Sequence, residues 1–204
     1  MIGIIDYGMG NLQSVKNALD FLNEESVITS DPEVLYACDR VILPGVGAFR
    51  DCMENIHARG LFAPVKKIVN EMHKPFLGIC LGMQMLFEES EENGITEGFG
   101  FLKGRIVRME DTSVRIPQIG WNLLEFTQDT PLRARLSEHP YVYYVHSYYA
   151  KDCAAEDRIA VSAYGSMTVP GLVGHDNVLG AQFHPEKSGR DGLEILRWFT
   201  EVSL

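Results

Sequence analysis

Short apolar runs alternate with helical patterns through the N-terminal half of this chain, and few folds accept that alternation. Residues 2–6 form a compact β-type run, and Asn11 stands where it can cap a helix carrying Leu12, Val15, Ala18, Leu19 and Leu22. Ser30, Asp31, Pro32 and Glu33 join a capping-box spacing to a proline in the first turn, which announces a second helix. Residues 40–43 read as a buried strand, halted by Pro44, Gly45, Val46 and Gly47, and helical patterns follow over 49–58 and 61–72. Residues 75–79 read as a strand running directly into a helix over 81–89. Strands alternating with helices imply a mainly parallel sheet packed between helical layers, an α/β fold.

The second half changes character. Segments 100–109, 141–150, 159–164, 169–175 and 179–183 are β-rich with short connections, which predicts some antiparallel pairing and hence a mixed sheet. A helix over 190–202 closes the chain. No repeat, low-complexity tract or long linker divides the 204 residues, so residues 1–204 read as a single domain.

Charge and composition exclude several functions. A formal charge of −10 argues against a nucleic-acid surface. No apolar run approaches the roughly 18 residues of a membrane span. The opening residues lack a basic stretch followed by a long apolar core, so they do not read as a signal peptide, and the default location is cytoplasmic. Cys38, Cys52, Cys80 and Cys153 form no C-x-x-C pair and read as reduced thiols, with no metal and no cofactor expected.

One cysteine stands apart. Gly78, Ile79, Cys80, Leu81 and Gly82 set a thiol between a strand and a helix with glycine at both two-residue offsets, the pattern of a nucleophile elbow. The helix that follows offers free N–H groups and a positive dipole end, both favouring thiolate. Taken alone, the same pattern serves equally well for a small core residue entering a helix. A thiol nucleophile needs a base and a group behind that base. His184, Pro185 and Glu186 supply both after the strand-like 179–183, with His184 as proton shuttle and Glu186 fixing its tautomer. An isolated HPE would read as a surface turn with a solvated glutamate. Beside the elbow, the catalytic reading prevails. The Gly45, Val46 and Gly47 turn lets backbone N–H groups face a ligand, as an oxyanion hole requires.

GICLGMQMLF, PGVGAF and a distant FHPE resemble the triad, class I glutamine amidotransferases. IDYGMGNL, PQIGWN, VHSYY and FHPEKSG narrow the resemblance to their glutaminase subunits in histidine biosynthesis, over residues 4–189. The resemblance implies the flavodoxin-like fold of that family and glutamine as substrate. It makes Cys80 the attacking thiol, His184 the proton carrier and Glu186 its orienting partner, with a glutamyl thioester between. It gathers the backbone of Gly45, Val46, Gly47 and Leu81 around the oxyanion, and Gln84, Ser147 and Tyr148 at the amino-acid end of glutamine. It also implies ammonia transfer to a (β/α)8-barrel cyclase as heterodimer partner, with Asn11, Trp121 and Lys187 at the interface. From the residues alone Trp121 reads as core, Asn11 as a cap and Lys187 as a solvated charge. Gln118 stands where the family pattern has histidine, which touches interface detail. The glutaminase of another synthase would share the triad but not these outer motifs. A dinucleotide-binding module fails because Gln13 occupies the third glycine position after Gly8 and Gly10.

Overall fold

In the computed structural model, which describes residues 1–202, every residue of β1 (Ile2–Ile5) is buried, as expected of a strand covered on both faces. Alternation within the central strands sorts their side chains into two cores. Ile2 and Ile4 face the layer of α1 (Leu12–Phe21), while Ile5 faces the opposite layer. After β2 (Ser26–Thr29) and α2 (Pro32–Ala37), the pattern repeats in β3 (Arg40–Gly45). There Ile42 joins the first core, and Val41 and Leu43 join the second with α3 (Phe49–Ala58) and α4 (Phe62–Asn70). The period of two that defines a strand thus partitions the protein into layers.

The chain continues through β4 (Phe76–Cys80), α5 (Leu81–Gln84), β5 (Phe87–Ser90), β6 (Thr96–Glu97), β7 (Leu102–Arg108), β8 (Gln118–Leu123) and β9 (Glu125–Phe126). Then come β10 (Tyr141–His146), β11 (Tyr148–Lys151), β12 (Arg158–Tyr164), β13 (Met167–His175), β14 (Val178–Ala181) and α6 (Gly189–Glu201). The main sheet runs β2-β1-β3-β4-β14-β13-β12-β9. It is parallel from β2 to β14 and antiparallel beyond. The mixed, mainly parallel sheet between helices is therefore present. Two smaller sheets flank it, β10-β8 and β11-β7-β5-β6.

Three local expectations are corrected. The helix expected over 81–89 ends at Gln84, and β5 follows, pairing parallel with β7 and antiparallel with β6. Asn11 holds the N-cap position of α1 but makes no side-chain cap hydrogen bond, because its backbone (φ −88, ψ 60) departs from the extended geometry that aims a cap. In α2 the cap is Asp31, whose carboxylate accepts from the Glu33 amide at 2.9 Å, and no box from Ser30 forms. Among the described residues no helix is long and apolar enough to cross a membrane.

Candidate active site

Four strand ends converge on one side of the sheet. Tyr7 follows β1, the Gly45 turn ends β3, Cys80 ends β4, and His184 follows β14, and a cleft at this edge draws residues from the last three. Cys80 is the last residue of β4, with φ 55 and ψ −112, a backbone that side chains other than glycine rarely adopt. Cys80 is 6% exposed and lines the cleft, and Leu81 begins α5 at once. Turn and elbow touch through two glycines. A Cβ on Gly45 would lie 2.5 Å from the Gly82 amide nitrogen, and one on Gly82 would strike the Leu43 carbonyl. Only glycine at both positions lets the Gly45–Gly47 turn pack against the elbow at Cys80.

His184 and Glu186 sit on a 3-10 turn over Pro185–Lys187. His184 Nδ1 lies 2.8 Å from Glu186 Oε1, and their side chains are only 4% and 1% exposed. The solvated glutamate that an isolated HPE suggests is absent. The His184 amide donates to the Tyr143 carbonyl at 2.9 Å, and the His184 carbonyl accepts from Ser188 Oγ at 2.7 Å, so the segment is fixed to β10. Burial works against a charged His184, but hydrogen-bonding and electrostatic interactions with Cys80 and Glu186 outweigh it and push its pKa up to about 9. The His184 imidazole is thus braced by the Glu186 carboxylate and lines the same cleft as Cys80. The Cys80 sulfur also has Gln182 Nε2 at 3.9 Å and the Val145 carbonyl at 4.0 Å.

The cleft measures ≈ 410 Å³. Cys80 and His184 line it together with Val46, Gly47, Leu81, Gln84, Ser147 and Tyr148. Gly45 lies beneath, paired in register with Cys80. Gln84 is 3% exposed, and its amide nitrogen donates to the Tyr148 carbonyl at 2.8 Å and to Gln182 Oε1 at 3.0 Å. It therefore ties α5 to β11 instead of facing water. Asn11, Trp121 and Lys187 lie outside the cleft. Lys187 is exposed on the 3-10 turn, and Asn11 follows Gly10, which abuts Pro44. Trp121, read from the residues as core, is 52% exposed on β8 with its ring against Tyr143.

Two polar cleft residues, His146 and Glu92, and Gln182 beside the Cys80 sulfur are not evident from the sequence patterns. Gln182 is a polar side chain within an apolar run, which is the one signal of the three that the sequence does carry. His146 is buried with Nδ1 2.9 Å from the Tyr148 carbonyl, and Nε2 has no partner among the described residues. The carbonyl holds the proton on Nδ1, and burial pushes the His146 pKa down to about 4. Glu92 reaches the cleft wall and accepts from the Phe49 amide at 2.7 Å. No local pattern marks it. Among the described residues no cluster of His, Cys, Asp and Glu is placed to hold a metal ion.

The profile described as glutamine amidotransferase class-I matches residues 3–202. The imidazole glycerol phosphate synthase subunit HisH of Bacillus licheniformis is 48% identical over 208 residues, covering 100% of this chain and 97% of that protein. The protein of the same name from Bacillus cereus is 51% identical over 202 residues, covering 99% and 95%. Among solved structures, a glutamine amidotransferase superposes with a TM-score of 0.77 at 21% identity, over 98% of this chain and 97% of that one. Another glutamine amidotransferase, from Thermotoga maritima, gives a TM-score of 0.64 at 17% identity, over 98% and 82%.

Proposed function

This chain belongs to the class I glutamine amidotransferase family, and on that premise we propose that it hydrolyses glutamine to glutamate and ammonia through Cys80, His184 and Glu186. It supplies the ammonia to a cyclase subunit that makes imidazole glycerol phosphate in histidine biosynthesis. The chain works as one glutaminase domain in the cytoplasm. The observation that carries the reading is the buried 2.8 Å contact between His184 and Glu186, in a cleft that His184 lines together with a thiol on a strained elbow.

The reaction follows from the geometry. The Cys80 thiolate attacks the side-chain amide carbon of glutamine, and the carbonyl oxygen becomes an oxyanion among the N–H groups of Val46, Gly47 and Leu81. His184 carries the proton that the leaving amine needs, and its transfer releases ammonia and leaves a glutamyl thioester. The neutral imidazole then takes a proton from water as that water attacks the thioester, and glutamate leaves as thiolate and imidazolium are restored. Glu186 keeps the proton of Nδ1 and stabilises the charge that His184 regains. Gln84, Ser147 and Tyr148 hold the amino-acid end of the substrate.

The partner is a (β/α)8-barrel cyclase, which receives ammonia across a heterodimer interface that includes Asn11, Trp121 and Lys187. The names of the full-length relatives support this synthase over others with the same triad. An apolar face supports the docking. Ile119, Trp121 and Tyr141 are 61%, 52% and 51% exposed, and the β8–β10 register sets Trp121 opposite Tyr143 and Ile119 opposite Val145. Exposed apolar clusters of this kind mark protein interfaces. Ammonia release by the wild-type chain with its cyclase, against a Cys80→Ala variant, tests the reading. Activity should vanish in the variant while complex formation persists, and a glutamine-analogue electrophile should label Cys80 alone. Undiminished ammonia release by Cys80→Ala would end the assignment.

A further inference from the structure

The oxyanion turn is held from inside the protein by two side chains that the mechanism above does not use. Tyr7, fully buried just past β1, donates its hydroxyl to the Pro44 carbonyl at 2.9 Å. Cys52, fully buried on α3, has its sulfur 3.5 Å from the Val46 carbonyl and 3.5 Å from the Tyr7 hydroxyl. Each group has one proton to give. The short contact to Pro44 takes that of Tyr7, which leaves the Cys52 thiol proton for the Val46 carbonyl, the nearer of its two acceptors, with Met9 Sδ at 3.7 Å. Burial pushes the Tyr7 phenol far above its usual range and the Cys52 thiol up to about 11, so both remain donors at neutral pH.

The two clasped carbonyls belong to the peptides on either side of the Gly45–Val46 peptide. The Val46 amide itself has no acceptor among the described residues, and Val46 lines the cleft. A turn with both shoulders fixed and its middle peptide unbonded confines reorientation to one amide. We propose that Tyr7 and Cys52 are positioning residues for the oxyanion turn, clamping the peptides before and after Gly45–Val46 so that the Val46 N–H alone swings to the tetrahedral oxygen. This rests on the glutaminase reading, because only acyl transfer at Cys80 requires such a donor. A donor misplaced by an ångström loses much of its effect in the transition state and little in substrate binding.

Steady-state glutamine hydrolysis by the chain with its cyclase subunit tests the clamp, using Tyr7→Phe, Cys52→Ala and the double variant. Each single change should lower kcat about tenfold with KM within about twofold, and the double change should cost less than the product, because both act on one turn. Cys52→Ser restores a donor and should recover most of the loss. Alkylation of Cys80 by iodoacetamide needs no oxyanion donor, so its rate should be unchanged in all of them. A purely structural role would lower the thermal midpoint and leave kcat intact, and that result overturns the proposal, as does parallel loss of alkylation. If the wild-type complex releases no ammonia from glutamine, the site reading falls and the clamp with it. If it does and Tyr7→Phe and Cys52→Ala match its kcat, only the clamp is wrong.

Discussion

The Val145 carbonyl lies 4.0 Å from the Cys80 sulfur, while the Val145 side chain is 37% exposed on the apolar face of β10. One residue therefore links the thiol to the exposed apolar face of β8 and β10. A partner pressing on β8 and β10 bears on the backbone beside the thiol, with no long relay between them. The cleft and the exposed apolar face share a wall.

From this contact the first prediction concerns coupling. The chain alone should be a poor glutaminase, and the cyclase with its nucleotide should raise kcat by about 10²-fold or more, the worth of one oxyanion donor. Assays on the chain, the pair and the pair with nucleotide measure it. Stimulation confined to KM would show that the partner improves substrate binding and leaves the oxyanion turn untouched.

A second prediction separates base from orienter. His184→Asn should reduce kcat by about 10³-fold or more, and Glu186→Gln by roughly 10²-fold, since the amide keeps a hydrogen-bonding group and loses the charge. His184 must hold a proton for the leaving amine, so activity should decline as pH rises through about 9. Without the Glu186 charge that limb moves to lower pH. A pH–rate profile of Glu186→Gln with an unmoved alkaline limb would remove Glu186 from the triad.

Stability should also depend on pH, through two histidines acting in opposite senses. Unfolded, His146 takes a proton near 6.5, but folded it resists down to about 4. The unfolded chain therefore binds more protons between these values, and the stability contributed above pH 6.5 is lost as pH falls, by about 2 kcal/mol at pH 5. His184, raised to about 9, contributes fully below 6.5 and loses its contribution as pH climbs through 9. Thermal midpoints should peak near neutrality, and His146→Asn should flatten the acid side. An acid limb identical in that variant would assign the loss to other groups.

Docking should depend on Trp121. Large aromatic side chains at protein interfaces often contribute about 2 kcal/mol, so Trp121→Ala should weaken cyclase binding by roughly 30-fold. Titration calorimetry measures the change directly. An unaltered Kd would move the interface off β8.

Much of this architecture is legible in the sequence because its signals are local. The buried runs of β1, β3 and β4 carry their own apolar character, and the elbow glycines sit within two residues of Cys80. What escapes depends on distant partners. Phe87–Ser90 becomes a strand because β6 and β7 lie alongside it, and no local pattern signals those partners. Trp121 reads as core because an exposed indole on a sheet face has the same chemistry as one in the interior. Tyr7 and Cys52, separated by 45 positions, give no sign of their contact. The cleft roles of His146 and Glu92 likewise come from elements folded together.

The backbone at Cys80 also bears on how long such an enzyme lasts. Holding a residue with a side chain at φ 55 and ψ −112 costs about 1–3 kcal/mol, a sum that glycine largely escapes while giving up about 0.5–1 kcal/mol of its own in unfolded-chain entropy. Cys80→Gly should accordingly be inert toward glutamine and at least as heat-resistant as the active protein. Selection for endurance alone would favour the dead variant, and the thiol persists at that corner through selection for turnover.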